Sequence, residues 1–123
     1  MGQVVAKVRV SNPHDKSKYL DLELLVDTGS TYTWINGGRL KSLGIEIMGE
    51  RKFRTIENRI VEMKIGEAVV ECLSRKATAI VVFAQEGDNE EFGLHALEGL
   101  GLEVDPITKK LKEVEAVLAL NCI

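Results

Sequence analysis

Apolar and polar residues alternate with period two over most of this chain, and that pattern predicts strands rather than helices. Val4, Ala6, Val8 and Val10 alternate with Val5, Lys7, Arg9 and Ser11, giving a strand with one apolar face. The polar residues 11–18 carry an Asn-Pro step and read as a turn. Leu20, Leu22, Leu24 and Val26 then alternate with Asp21, Glu23 and Leu25, a second strand whose end is apolar on both faces. Residues 31–35, rich in β-branched and aromatic side chains, predict the next strand. The turn residues Asn36-Gly37-Gly38 open a segment suited to a short helix. Residues 52–65 predict a hairpin with Glu57, Asn58 and Arg59 near its tip, and further strands are expected at 67–73 and 77–83. Residues 85–91 form an acidic, solvated loop. Leu94, Leu97 and Leu100 recur at helical spacing between glycines, and residues 102–114 read as strand, turn, strand about Asp105-Pro106. The last apolar run, residues 116–123, suits a terminal strand.

Composition narrows the function. A chain of 123 residues fits one domain, residues 1–123, with a real core but no room for a second catalytic module. The net charge of −3 comes without any basic block, which argues against binding nucleic acid through its phosphates. No apolar run is long enough to span a membrane, and the first ten residues lack the apolar core of a signal peptide. A cytoplasmic setting with reduced thiols is the expectation, Cys72 and Cys122 serving as buried apolar residues. No His/Cys/carboxylate cluster has metal-ligand spacing, and no Gly-rich phosphate loop with its lysine is present, so neither metal nor cofactor is expected.

One stretch carries chemistry. Asp27 follows directly on Leu24-Leu25-Val26, where the strand end would bury it in part, and a carboxylate in an apolar setting is costly unless something pairs with it or uses it. Gly29 allows a sharp turn to present Asp27, and Thr28 and Ser30 add hydroxyls that donate to carboxylates or to neighbouring backbone. Taken alone, Asp27-Thr28-Gly29-Ser30 reads equally well as an ordinary turn, since all four are turn-formers.

The context resembles a known family. Two or three aliphatic residues, then Asp27-Thr28-Gly29-Ser30, then a β-rich segment is similar to the active-site loop of the retroviral-type (retropepsin-like) aspartic proteases. Late in the chain Phe92-Gly93 resembles that family's hydrophobic-Gly step, and Leu94 to Leu100 its short helix. The stretch ALEGLGLEVDPITKKL looks like the small prokaryotic members of the clan, and the likeness spans essentially the whole chain. It implies an all-β, closed acid-protease barrel with one or two short helices that works as a homodimer. It implies an aspartic endopeptidase acting on peptide or unfolded protein, in which Asp27 of each protomer meets its twin at the two-fold axis. By the same resemblance Thr28 ties the two loops across the axis, Gly29 lets the substrate backbone approach, and Ser30 hydrogen-bonds the aspartate. Ile56, Glu57, Asn58, Arg59 and Ile60 match the flap. Residues 4–8 and 119–123 match the interleaved dimer strands.

Two positions depart from the family pattern. Many viral members brace the loop with an arginine after the late glycine and an aspartate two residues after the triplet; here those positions are Leu94 and Thr31, so both partners are missing together and no buried charge is stranded. The flap tip, usually glycine-rich, is Ile56-Glu57-Asn58-Arg59, with Asn58 able to take the left-handed turn position. A dimeric domain of this fold that binds or scaffolds peptides without turnover is the alternative; the acid at position 27, for which a binding module has no chemical need, favours catalysis. An aspartyl phosphotransferase would need a second aspartate, a lysine and an alternating α/β pattern, which this chain lacks. His14 reads as a solvated loop residue and His95 as a structural hydrogen-bonding one. Tyr32 and Trp34 read as packed in or beside the core.

Overall fold

The computed structural model describes residues 3–118. The fold is mostly β: strands β1 (Val5–Asn12), β2 (Asp15–Asp27), β3 (Thr33–Asn36), β4 (Gly49–Arg54), β5 (Ile60–Cys72), β6 (Arg75–Ala84), β7 (Glu91–Gly93), β8 (Leu102–Val104) and β9 (Leu111–Glu113), with helices α1 (Gly37–Ser42) and α2 (Leu94–Leu100). Seven strands make one sheet in the order β1-β2-β7-β3-β6-β5-β4, and β1 also pairs with β5. The strands β8 and β9 form a separate hairpin.

The alternation foreseen for β1 holds as far as Val10, while Ser11, expected on the polar face, is buried. Ala6, Val8 and Val10 are buried while Val5, Lys7 and Arg9 face out, as a strand with one covered face requires. The polar segment after it contains less turn than expected. Only Pro13 and His14 turn, and β2 starts at Asp15 opposite Asn12. The solvent-facing arm tolerates Lys16, Ser17 and Lys18 because nothing covers it. At its other end β2 is covered by β1 and β7, which explains why its apolar residues stop alternating at Leu24-Leu25-Val26.

Residues 60–72 form one 13-residue strand rather than the two expected on either side of Gly66. Gly66 does not break the strand. It marks a close approach, since a Cβ there would lie 2.7 Å from the Glu46 carbonyl oxygen and 2.9 Å from Cε1 of Phe83. The strand therefore continues from the hairpin with β4 into the core, where Ala68, Val69 and Val70 are buried.

The helices follow their end signals. Asn36 caps α1, its Oδ1 accepting from the N–H groups of Gly38 (2.9 Å) and Arg39 (3.3 Å). Gly101 ends α2 in the left-handed conformation, φ 70°. Arg75 donates to the Leu100 carbonyl (2.9 Å) and pairs with Glu113 (3.0 Å), fastening the end of α2 to β9. No helix among the described residues is long and apolar enough to cross a membrane. The terminal strand expected at 116–123 lies in part outside the described residues, and 116–118 form no strand.

The main core is built from β1, β2, β3, β5, β6, β7 and α2, with Phe92, Leu24, Ile35, Val81 and Leu97 among its fully buried side chains. Phe92 lies on the short strand between β2 and β3, opposite Val26, with its side chain in the main core. Phe92→Ala is expected to lower the unfolding free energy by about 3–5 kcal/mol, read from the urea midpoint, because the ring has no accessible surface and its removal leaves a cavity.

Candidate active site

The loop carrying Asp27 is set by a crossing of strands. The chain leaves β2 at Asp27 and enters β3 at Thr33, but the two strands are not neighbours, because β7 lies between them. It runs parallel to β2, with Leu25 opposite Glu91, Val26 opposite Phe92 and Asp27 opposite Gly93. It pairs with β3 at Trp34 opposite Glu91. Residues 28–32 must therefore arch over Gly93.

That arch leaves no space above the glycine. A Cβ on Gly93 would fall inside the Tyr32 peptide group and 3.0 Å from the Ser30 carbonyl oxygen. The close approach lets backbone groups make the brace. The Leu94 N–H donates to the Ser30 carbonyl (2.8 Å) and the His95 N–H to the Thr31 carbonyl (2.9 Å). These are the otherwise unpaired first donors of α2. The Gly93 N–H donates to Oγ1 of Thr33 (3.0 Å), a threonine with no accessible surface. Main-chain bonds thus brace the loop at Thr31 and Leu94, where no ion pair is possible.

Asp27 is half-buried, and its Oδ1 accepts from the Gly29 N–H (2.9 Å). Gly29 is not in the left-handed region, contrary to the reading of it as a position of special backbone conformation. Its lack of a side chain matters for space: a Cβ would lie 3.2 Å from Oδ1 of Asp27, crowding the carboxylate on its open side. Ser30 also differs from expectation. Its Oγ donates to the Tyr32 carbonyl (2.9 Å), an acceptor two residues on, and makes no hydrogen bond to Asp27. Thr28 is exposed and faces a groove of about 460 Å³ that includes Leu94, Leu97 and Val117.

Asp27 lies at one side of a cavity of about 550 Å³. Gly29, Ser30, Tyr32, Trp34 and Glu91 line it with Asp27, and Arg51, Phe53 and Ile56 belong to the hairpin opposite. This hairpin is the one assigned to the flap. Its tip is held by the Thr55 N–H on the Arg59 carbonyl (2.8 Å) and by Arg54 on Oδ1 of Asn58 (2.7 Å). Asn58 takes the left-handed conformation, φ 64°, as its side chain allows. Ile56 is fully exposed at the tip and Ile60 largely so, while Glu57 and Arg59 face solvent. Tyr32, Trp34 and Phe53 meet edge-on and pack with Met63, Ile65 and Val82 under the hairpin, so Trp34 serves both the core and the cavity wall. His95 packs its ring against Tyr32, and His14 is exposed.

A second carboxyl at the cavity floor was not foreseen. Glu91 is half-buried, on the same face of the β2–β7 pair as Asp27, and lines the same cavity. Burial, then the bond to Asp27 and its charge, push the Glu91 carboxyl up to about 7. The sequence held the signal. With Phe92 turned into the core, strand alternation sends Glu91 to the opposite face, the face shared with Leu25 and Asp27. Reading residues 85–91 as one acidic loop hid it. Thr33 escaped notice because a threonine in a strand has many uses.

No protein-family model matches the chain, and no curated protein matches it.

Two outcomes are expected. Thr33→Val keeps the shape and strand preference of the side chain but leaves the buried Gly93 N–H without an acceptor, so it should cost about 1–3 kcal/mol in urea unfolding. The second concerns pH. Folding raises the Glu91 pKa from 4.5 to about 7, so the native state keeps a proton that the unfolded chain gives up between those values. The stability this contributes is complete below the unfolded value and is lost as pH rises through the folded one. Glu91→Gln should flatten that decline, measured as the melting temperature between pH 4.5 and 7.

Proposed function

We propose that the chain is an aspartic endopeptidase of the retropepsin-like type, a closed acid-protease barrel that works as a homodimer with Asp27 and its twin on one water. The observation that carries this reading is the position of Asp27: at the end of an apolar strand, on a loop braced by backbone bonds, facing a cavity roofed by a hairpin. One carboxylate takes a proton from the water, which attacks the peptide carbonyl. The other carboxyl donates its proton to the carbonyl oxygen. The tetrahedral diol then collapses as the first carboxyl passes the water's proton to the leaving nitrogen and the second takes a proton back from a diol hydroxyl, releasing amine and acid. Two carboxyls at short range do not both ionise readily, so the pair holds the proton the reaction needs, and its apparent pKa values belong to the pair.

The cavity suits an extended polypeptide. Trp34, Phe53 and Val61 offer apolar contact, and the hairpin above carries Ile56 at its exposed tip, free to fold onto a bound chain. Thr28, exposed beside the Asp27 loop, is available to reach a second copy across a two-fold axis. The strand at 119–123 assigned to the dimer sheet lies outside the described residues. The non-catalytic alternative, a dimeric peptide-binding or scaffolding domain, is separated from the enzyme by turnover alone.

The purified protein is expected to cleave unfolded polypeptide, and to sediment as a dimer. Asp27→Asn should reduce cleavage at least about a hundredfold, the least that loss of a general acid–base group costs, while leaving the dimer intact. Undiminished cleavage in that variant would remove Asp27 from the mechanism. Cleavage by a protein that sediments as a monomer would remove the twin and leave Asp27 and Glu91 of one chain as the acting pair. A dimer that binds peptide without cutting it would favour the scaffolding alternative.

A further inference from the structure

Glu91 has no assigned role in a site built from two Asp27 residues, yet it shares a strand face and a cavity with Asp27 within each chain. Three observations bear on what it does. Glu91 and Asp27 lie on one face of the β2–β7 pair and on one cavity. Ser30, the residue expected to donate to Asp27, is turned away onto the Tyr32 carbonyl. The Gly29 N–H is the only backbone donor to the Asp27 side chain among the described residues, and it reaches Oδ1. Among the described residues no hydroxyl, amide or basic side chain donates to the Asp27 carboxylate.

The charged groups around Glu91 do not offer it a cation. From β2 it faces Asp27. From β3 it faces Trp34, which is uncharged. Beside it Glu90 is occupied by Arg39 (3.2 Å). Across the cavity β4 carries Arg51, Lys52 and Arg54. Arg51 donates to the Tyr32 hydroxyl (3.0 Å) and Arg54 to Asn58, and none of the three lowers the Glu91 carboxyl. His95 is engaged with the other side of Tyr32. A half-buried carboxyl with an aspartate beside it and no cation keeps its proton, and a protonated carboxyl has an O–H to donate.

We propose that Glu91 is the positioning residue of Asp27: its protonated carboxyl donates to the Asp27 carboxylate, orienting it toward the cavity and taking over the bond that Ser30 does not make. The inference rests on the protease reading for its catalytic consequence, but the contact itself does not. A dimer then holds four carboxyls around the reacting water, two that react and two that orient. The orienting pair works only while protonated, so the alkaline limb of the rate profile includes the ionisation of Glu91 as well as that of the reacting pair. The donor strengthens nothing in the ground-state binding of peptide, so its loss falls on kcat rather than on KM.

The test has two independent readouts. The first is carbon-13 NMR of the Glu91 carboxyl in the full chain across pH, with Asp27→Asn as the comparison. A titration near 7 that drops in Asp27→Asn supports the contact; a titration near 4.5 that the variant leaves unmoved overturns it. The second is the pH dependence of kcat and KM on an unfolded polypeptide. Glu91→Leu, which has no donor, should lower kcat about tenfold or more with little change in KM, as loss of a hydrogen bond to a charged acceptor does. Glu91→Gln keeps an N–H donor that does not ionise. It should recover much of the Glu91→Leu loss and remove one ionisation per chain from the alkaline limb. A Glu91→Gln profile that loses as many protons as the parent, or no difference between the Gln and Leu variants, overturns the positioning role. Absence of cleavage in the parent protein together with the expected NMR titration overturns the protease reading while supporting the Asp27–Glu91 contact.

Discussion

The site depends on an approach that only a residue without a side chain allows. Gly93 lies so close under Tyr32 and Ser30 that any Cβ would enter the backbone of the arch. Because the approach is that close, the first donors of α2 reach the carbonyls of Ser30 and Thr31, and the glycine N–H reaches Thr33. Each bond fixes the loop to a part of the core that cannot move far: β7 lies between two neighbours, and Leu97 and Leu100 anchor the helix in buried packing. Backbone bonds of this kind are insensitive to salt and pH, which an ion pair in the same place would not be. The brace fixes the backbone of the Asp27 loop whatever the charge state around it, and leaves the orientation of the carboxylate itself to the side chains beside it.

The same crossing of strands brings two acids together. With β7 parallel to β2 and Phe92 in the core, alternation leaves Glu91 no face except the one Asp27 occupies. A charged pair there would be repulsive and poorly solvated, so one member stays neutral. Burial comes first among the causes that raise the Glu91 carboxyl, and the proton is assigned to Glu91. The basic side chains of the roof do not reverse this, since Arg51 and Arg54 are drawn to Tyr32 and Asn58.

Much of this architecture was legible in the chain. Period-two alternation located β1 and β2, turn residues between strand-forming runs located the hairpin, and the helical spacing of Leu97 and Leu100 located α2. What was not legible depends on contacts between distant segments. Gly66 reads as a break until Glu46 and Phe83 are seen against it. Ser30 reads as a donor to Asp27 until the tight arch offers it the Tyr32 carbonyl first. Glu91 reads as one more charge in an acidic run until the register of a parallel pair, 66 residues apart in sequence at Leu25 and Glu91, sets it beside Asp27. The terminal residues of the expected dimer sheet are outside the described residues, so the chain's second copy remains an expectation of resemblance.

The neutral Glu91 has a cost that follows from its position. A group whose folded pKa is raised stabilises the fold only while it keeps its proton, so rising pH withdraws stability over the same interval in which it withdraws the donor to Asp27. The groups that act in the other sense, Asp21 beside Arg9 and Asp105 under the Ile107 and Thr108 N–H groups, have lowered pKa values, and their contribution is lost only as pH falls below the usual carboxylate range. Asp21 is exposed and Asp105 only partly covered, so screening leaves them little weight. Stability and site geometry are therefore tied at the alkaline end to one carboxyl. A replacement that cannot ionise would free the fold from that dependence, and it would also remove the means by which the proton state of the cavity floor reports the surrounding pH. A carboxyl kept neutral beside Asp27 thus sets a hydrogen-bond donor on the cavity floor at the expense of stability at higher pH.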